Sequence, residues 1–289
     1  MTKEEFWQLS AAENLILDGA TGSNLRKMGM PAGICTELWI LEHPETLQQL
    51  QRDFAAAGSR IVYAPTFGAN RMSMARFGYE GDITELNRRL VDVTRGAGLE
   101  GVLIGGDMST TGQLLEPRGE LTYEKLYEVY QEQAQALADC GVDLIAAETM
   151  LTIEELTVLL DAVQSVCDLA VLCTLTVESD GSLLYGGHIT EAVETLQEMG
   201  AAAVGVNCSL GPDQLEAVTA SMKRVAKVPV IVKPNAGIPT IDAQGTAHYS
   251  MGPEAFATAM QNIRKAGADI VGGCCGTTPE YIRLLKSTV

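Results

Sequence analysis

The chain has 289 residues, 46% of them hydrophobic and 20% charged, with a formal net charge of −17. That length buries a full core as one large α/β barrel or two small domains, and the composition is that of an ordinary globular protein. The acidic surplus excludes nucleic acid as the main partner, because binding phosphate needs a basic footprint.

In chain order, a short N-terminal helix precedes the strand candidate NLIL at 14–17 and the glycine turn DGATGS at 18–23. A helix over Pro44–Ala57 leads to the apolar run RIVYAPT, which starts at Arg60. Further strand candidates are VLIGGD ending at Asp107, DLIAAE ending at Glu148 and LAVLCTLTV ending at Val177. The last three are AAAVGVNC ending at Cys208, VPVIVKPN ending at Asn235 and ADIVGGCC ending at Cys275. Between them, apolar spacing of three and four predicts helices at 122–140, 153–166, 190–199, 212–226 and 253–266.

Eight apolar runs alternating with helices predict a closed (β/α)₈ TIM barrel with a short N-terminal helical extension. No linker or composition shift divides residues 1–289, so one domain is expected. The chemically distinctive residues Asp18, Thr66, Asp107, Glu148, Cys208, Asn235, Cys274 and Cys275 all fall at strand ends. In such a barrel those ends share one rim, where active sites sit.

Of the seven cysteines, Cys35, Cys140, Cys167, Cys173, Cys208, Cys274 and Cys275, the odd number and irregular spacing oppose a disulfide framework. The N-terminus MTKEEFWQLSAAEN has no signal-peptide pattern, and no apolar run approaches the roughly 20 residues that span a bilayer. The expectation is a cytoplasmic chain with reduced thiols and no membrane partner.

Cys274 and Cys275 could not reach one point from a regular strand, where neighbours face opposite ways. They are expected just past it, with Gly272, Gly273 and Gly276 supplying unusual dihedrals. Two thiols that converge without bonding suit a soft metal ion, and Cys208 adds a third ligand from another strand end. Three thiolates make an incomplete tetrahedral zinc site, the catalytic pattern, with one position left for substrate. A substrate thiol there would lose its proton and become a nucleophile. Cys140, Cys167 and Cys173 read as small buried hydrophobes, and Cys35 as a spare or reactive thiol in a polar loop. His43, His188 and His248 show no metal-ligand spacing.

DGATGS, GVNCSLG, KPNAGIP and GGCCGTTPEYI together resemble the homocysteine S-methyltransferase family in order and spacing, from about Leu17 to Leu285. Within it, CTELWILEHPE, TFGANR and GGCCGTTPE resemble the homocysteine-binding domain of cobalamin-dependent methionine synthase most. The resemblance implies a (β/α)₈ barrel, zinc held by Cys208, Cys274 and Cys275, and methylation of homocysteine sulfur to give methionine. It implies methylcobalamin on a separate corrinoid protein or module as donor, with S-methylmethionine- or betaine-type donors and a non-catalytic zinc- or thiol-binding subunit as alternatives. One departure concerns the donor side: Ala64-Pro65-Thr66-Phe67 stands where that branch reads Thr-Asn-Thr-Phe.

A zwitterionic substrate needs an acceptor for its ammonium and donors for its carboxylate. Asp18 and Glu148 are the expected ammonium partners, against a turn or cap role for Asp18 and a rim ion pair for Glu148. Backbone N–H groups of Gly19, Ala20 and Thr21 suit the carboxylate. Asn207 and Asn235 flank the site, and Asn235 is a candidate to approach the open zinc position before substrate does. Thr66 and Asp107 are rim residues that could touch the donor.

Overall fold

The computed structural model describes residues 1–242 and 247–287. Helix α1 (Lys3–Ala12) comes first, then α2 (Gly22–Lys27), α3 (Thr36–Glu42) and α4 (Pro44–Ala57). The remaining helices are α5 (Arg71–Ala75), α6 (Ile83–Arg95), α7 (Tyr123–Asp139), α8 (Ile153–Gln164), α9 (Ile189–Glu198), α10 (Glu216–Val225), α11 (Pro253–Ala266) and α12 (Pro279–Lys286).

The parallel sheet runs β1 (Ile61–Tyr63), β2 (Leu103–Met108), β3 (Leu144–Met150), β4 (Val171–Leu175), β5 (Ala203–Cys208), β6 (Val230–Pro234) and, at its far edge, β9 (Ile270–Val271). Strands β7 (Pro239–Ile241) and β8 (Ala247–Tyr249) form a separate antiparallel hairpin after β6.

Residues 15–17 fill the eighth position. Leu17 N donates to Val271 O at 2.8 Å and Arg60 N to Ile16 O at 2.7 Å, so one short segment bridges both sheet edges. The sheet therefore closes, as expected of a (β/α)₈ barrel. The predicted strand 14–17 forms only bridges because the chain turns away at Asp18. ADIVGGCC is likewise extended only at its start, and the cysteines lie beyond the sheet.

Local chemistry explains the outer helices. Proline at the first position and a left-handed glycine past the last punctuate both α4 (Gly58, φ 118°) and α11 (Gly267, φ 115°). The predicted helix 212–226 splits into a 3₁₀ turn at Pro212–Gln214 followed by α10. No described helix is long and apolar enough to cross a membrane.

Alternation along the strands decides what fills the barrel. Ile61, Leu144, Leu172, Ala203, Ile231 and Ile270 make its apolar floor together with Phe6 of α1. Thr2 and Glu5 form a capping box that starts α1, and Trp7 Nε1 anchors it by donating to Ala202 O at 2.7 Å. Two or four residues further along the same inward faces come Tyr63, Asp107, Glu148, Asn207 and Lys233. The barrel is thus apolar toward its N-terminal end and polar toward its mouth.

Candidate active site

The chain leaves β5 through two left-handed residues, Cys208 (φ 59°) and Ser209 (φ 54°), and passes Glu148 through a third, Thr149 (φ 60°). Among the described residues these are the non-glycine positions with positive φ. Each such conformation costs about 1–3 kcal/mol and persists only where its surroundings impose it. Here the Asn207 amide clasps Thr149: its Oδ1 accepts from Thr149 N and its Nδ2 donates to Thr149 Oγ1, both at 2.7 Å. Ser209 Oγ accepts from Val177 N at 3.1 Å. Strain is therefore concentrated beside Cys208 and held by cross-strand bonds.

On the other side, Cys274 N donates to Pro234 O at 2.7 Å and Ala236 N to Cys275 O at 2.9 Å, which docks the cysteine loop onto the end of β6. The glycines around it have different reasons from those expected. Gly276 alone has positive φ, 86°, and a Cβ there would lie 2.4 Å from the Tyr249 ring. Gly272 and Gly273 serve close approach instead: a Cβ would stand 2.8 Å from Leu17 Cβ in one and 2.4 Å from Thr277 Oγ1 in the other.

The three sulfurs meet. Ligand atoms of Cys208, Cys274 and Cys275 all lie within 4.8 Å of one another, and Cys208 Sγ is 3.9 Å from Cys275 Sγ. A tetrahedral zinc with bonds of about 2.3 Å needs an S···S edge of about 3.8 Å, so the donor set fits zinc in kind and spacing. Hydrogen bonds from Cys208 and Cys274 pull the Cys275 thiol down to about 3, while bonding to Cys274 and Cys275 pushes Cys208 up. Cys274 stands at about 11, where the bond to Cys208 lowers it and the bond to Cys275 and burial raise it. Binding a metal here would expel the protons that the trio still carries.

The other cysteines are unsuited to this chemistry. Burial pushes Cys35 up to about 11 and Cys173 up to about 12, and raises Cys140 and Cys167. Cys35 is in the core rather than in a polar loop, donating to Glu37 Oε2 at 3.3 Å. Of the histidines, His43 stacks on Trp39, His188 caps α9, and His248 pairs with Asp242.

A cavity of ≈ 290 Å³ opens above the thiols. All three cysteines line it, as do Asp18, Gly19, Ala20, Thr21 and Glu148. Gly19 has no room for a side chain, since a Cβ would lie 2.6 Å from Phe54, and the Ala20 N–H is taken by Thr277 Oγ1 at 3.2 Å. Asn207 and Asn235 do not line the cavity. Asn207 turns its amide to Thr149 while its Nδ2 also reaches Cys274 Sγ at 3.9 Å, and Asn235 is 3% exposed with its Oδ1 unpartnered.

A buried lysine sits against this wall. Lys233, 3% exposed, places Nζ 3.1 Å from Asp18 Oδ1, 3.2 Å from Glu148 Oε2 and 4.5 Å from the Tyr63 ring centroid. Asp18 Oδ2 also accepts from Tyr63 N at 2.8 Å. The rim ion pair considered for Glu148 thus exists, with Lys233. Sequence reasoning missed this residue, although a lysine on the inward face of an apolar strand must find partners.

One ammonium does not balance the acids. Burial pushes Glu148 up to about 7 against the pull of Lys233, raises Asp18, and with the Glu148 charge raises Asp107 well above the usual range. Burial alone would lower Lys233, but Asp18 and Glu148 hold it well above its ordinary value. Lys233 therefore stays charged and the acids compete for it.

At the mouth, Ala64, Pro65 and Phe67 line the cavity, and Glu37 pins this turn by accepting from Gly68 N at 2.8 Å. Thr66 faces away, its hydroxyl donating to Asp107 O at 2.8 Å and accepting from Asp107 N at 2.9 Å.

The family model for homocysteine S-methyltransferase matches residues 15–289. The chain is 29% identical over 293 residues to the methionine synthases of Mycobacterium leprae and Mycobacterium tuberculosis, spanning 95% of itself but 24% of their length. The homocysteine methyltransferase MmuM from Escherichia coli shares the fold. Its oxidized form superposes with a TM-score of 0.81 at 23% identity, covering 96% of this chain and 97% of that one. Its metallated form gives 0.80 at 22% identity, over 98% and 99%. The chain belongs to the homocysteine S-methyltransferase family.

Proposed function

We propose that this barrel binds homocysteine at a zinc ion held by Cys208, Cys274 and Cys275 and methylates its sulfur to give methionine. The observation that carries this reading is the placement of three thiols, at tetrahedral spacing, on one wall of a cavity that also exposes a buried acidic cluster. Zinc bound there would hold the substrate sulfur as a thiolate at neutral pH, so no separate base is required.

The chain's own residues do the rest. The Asn207 clasp keeps the strained Cys208 turn in place, and the loop docked on β6 aims the neighbouring thiols together. Asp18 and Glu148, kept partly ionised by Lys233, attract the substrate ammonium. Gly19 and Thr21 bring backbone against the substrate carboxylate, Gly19 because it carries no side chain. The substrate sulfur then takes the methyl group in line, and the donor departs with its bonding electron pair.

For the donor we infer methylcobalamin on a separate corrinoid protein or module. Similarity to methionine synthases supports this, and so does the surface of the mouth. Most of the exposed apolar side chains, Met28, Ile34, Phe67, Phe77, Leu184, Ile238 and Ile241 among them, belong to segments that follow strand C-termini, with Trp7 of α1 an exception, and this is the face a macromolecular donor must approach. A small sulfonium donor is the second reading, favoured by the Phe67 ring on the cavity wall, since cations bind aromatic faces.

A donor panel decides between them. Zinc-loaded protein with homocysteine should form methionine from methylcobalamin and not from S-methylmethionine or betaine. Turnover with S-methylmethionine alone selects the second reading, and binding of zinc and homocysteine without any turnover selects a non-catalytic subunit.

A further inference from the structure

We propose that Thr277 is a positioning residue whose hydroxyl joins the loop of Cys274 and Cys275 to the loop at 18–24, so that the metal site and the substrate loop form one unit. This rests on the homocysteine reading above and goes beyond it.

Thr277 is fully buried, and its hydroxyl bridges segments 257 residues apart. Ala20 N donates to Oγ1 at 3.2 Å, and Oγ1 gives its single proton to Cys274 O at 2.7 Å. Both hydrogen-bonding roles of the hydroxyl are thus used, one on each loop. The side chain sits between two bare backbones: a Cβ at Gly19 would stand 2.8 Å from Oγ1, and one at Gly273 would stand 2.4 Å from it. A β-branched side chain held this way has one rotamer to occupy.

Other bonds follow the same seam. Gly273 N donates to Asp18 O at 3.0 Å, Gly276 N to Ser23 Oγ at 3.1 Å, and Asn24 Nδ2 to Thr277 O at 2.8 Å. Closure of the barrel is already made one level below, by Leu17 N on Val271 O at 2.8 Å. The seam instead fixes two loops that both line the cavity. Placing the Cys274 carbonyl therefore places the peptide of Ala20, between Gly19 and Thr21. A metal that orders the sulfurs orders the substrate loop in advance, and by reciprocity a substrate held by that loop tightens the metal.

The test uses the full chain with cobalt(II), whose thiolate absorption reports metal and sulfur binding without turnover. Thr277→Val keeps the shape and removes the hydroxyl, while Thr277→Ser keeps the hydroxyl. Cobalt affinity is read by competition with a chelator, and the loaded protein is then titrated with homocysteine or with ethanethiol, which reaches the metal but not the loop at 18–24. Thr277→Val should weaken both cobalt and homocysteine about tenfold or more and leave ethanethiol unchanged, and Thr277→Ser should restore both affinities. Should valine disturb folding, Ser23→Ala removes only the acceptor of Gly276 N and should weaken cobalt and homocysteine together by a few-fold. Unchanged affinities in these variants overturn the proposal. So does equal weakening of homocysteine and ethanethiol, which confines Thr277 to the metal loop, or loss of one affinity without the other. A wild-type cobalt spectrum that does not respond to homocysteine overturns the homocysteine reading and this proposal with it.

Discussion

Lys233 sets the charge balance on which the mouth of the barrel depends. Removing its ammonium leaves Asp18 and Glu148 as buried acids without a counter-ion, a loss of about 3–5 kcal/mol for a broken buried pair. For Glu148 the folded value of about 7 lies above the ordinary 4.5. Its contribution to stability is therefore full below pH 4.5 and lost as pH rises through 7. Without Lys233 that loss deepens. Lys233→Met should thus unfold at markedly lower temperature than wild type at pH 8, and the gap should narrow at pH 5, where the acids hold protons. A deficit independent of pH, measured on metal-free protein, would mean that packing and not charge is what Lys233 supplies. The vicinal cysteines and Asp18 were legible from the sequence because they end strands beside glycines. Lys233 was not, because it lies within an apolar run and its partners come from strands far away in the chain.

At the scale of elements, the cysteine loop works because two backbones meet where no side chain fits. The hairpin of β7 and β8 lays the Tyr249 ring on Gly276, which also holds φ at 86°. Gly276→Ala meets both objections at once: a left-handed residue with a Cβ costs about 1–2 kcal/mol, and the methyl group must push the ring aside. The expected result is a zinc affinity lower by about tenfold or more, read by competition with a chelator, with the fold retained by circular dichroism. Undiminished zinc affinity would show that the hairpin does not position Cys275. Apolar spacing placed α4 and α11 closely, and the structure shows proline and glycine punctuating both. The hairpin escaped it because residues 239–241 are exposed and carry no apolar alternation. The left-handed turns at Thr149 and Cys208 escaped it too, since neither residue type signals positive φ; cross-strand bonds from Asn207 to Thr149 and from Val177 to Ser209 hold them.

For the whole molecule, closure is what turns scattered residues into a site. Cys208 and Cys274 are separated by most of two β/α units, and Asp18 by nearly the length of the chain, yet all line one cavity. The bridges of residues 15–17 to β9 and β1 bring Asp18 beside Lys233, so barrel closure and assembly of the acidic cluster are the same event. The alternation of strands and helices predicted that architecture and placed the thiols on one rim. It named Asp107, Glu148 and Asn207 as residues of that rim but missed Lys233, whose place in the same inner layer depends on inward-facing register across separate strands.

The central claim is that the three thiols hold zinc with a position open to the substrate sulfur, and X-ray absorption at the zinc edge measures this directly. Zinc-loaded protein should show three sulfur neighbours and one lighter atom, changing to four sulfurs when homocysteine is added. Fewer than three sulfurs at the start, or coordination that homocysteine leaves unchanged, would contradict the account.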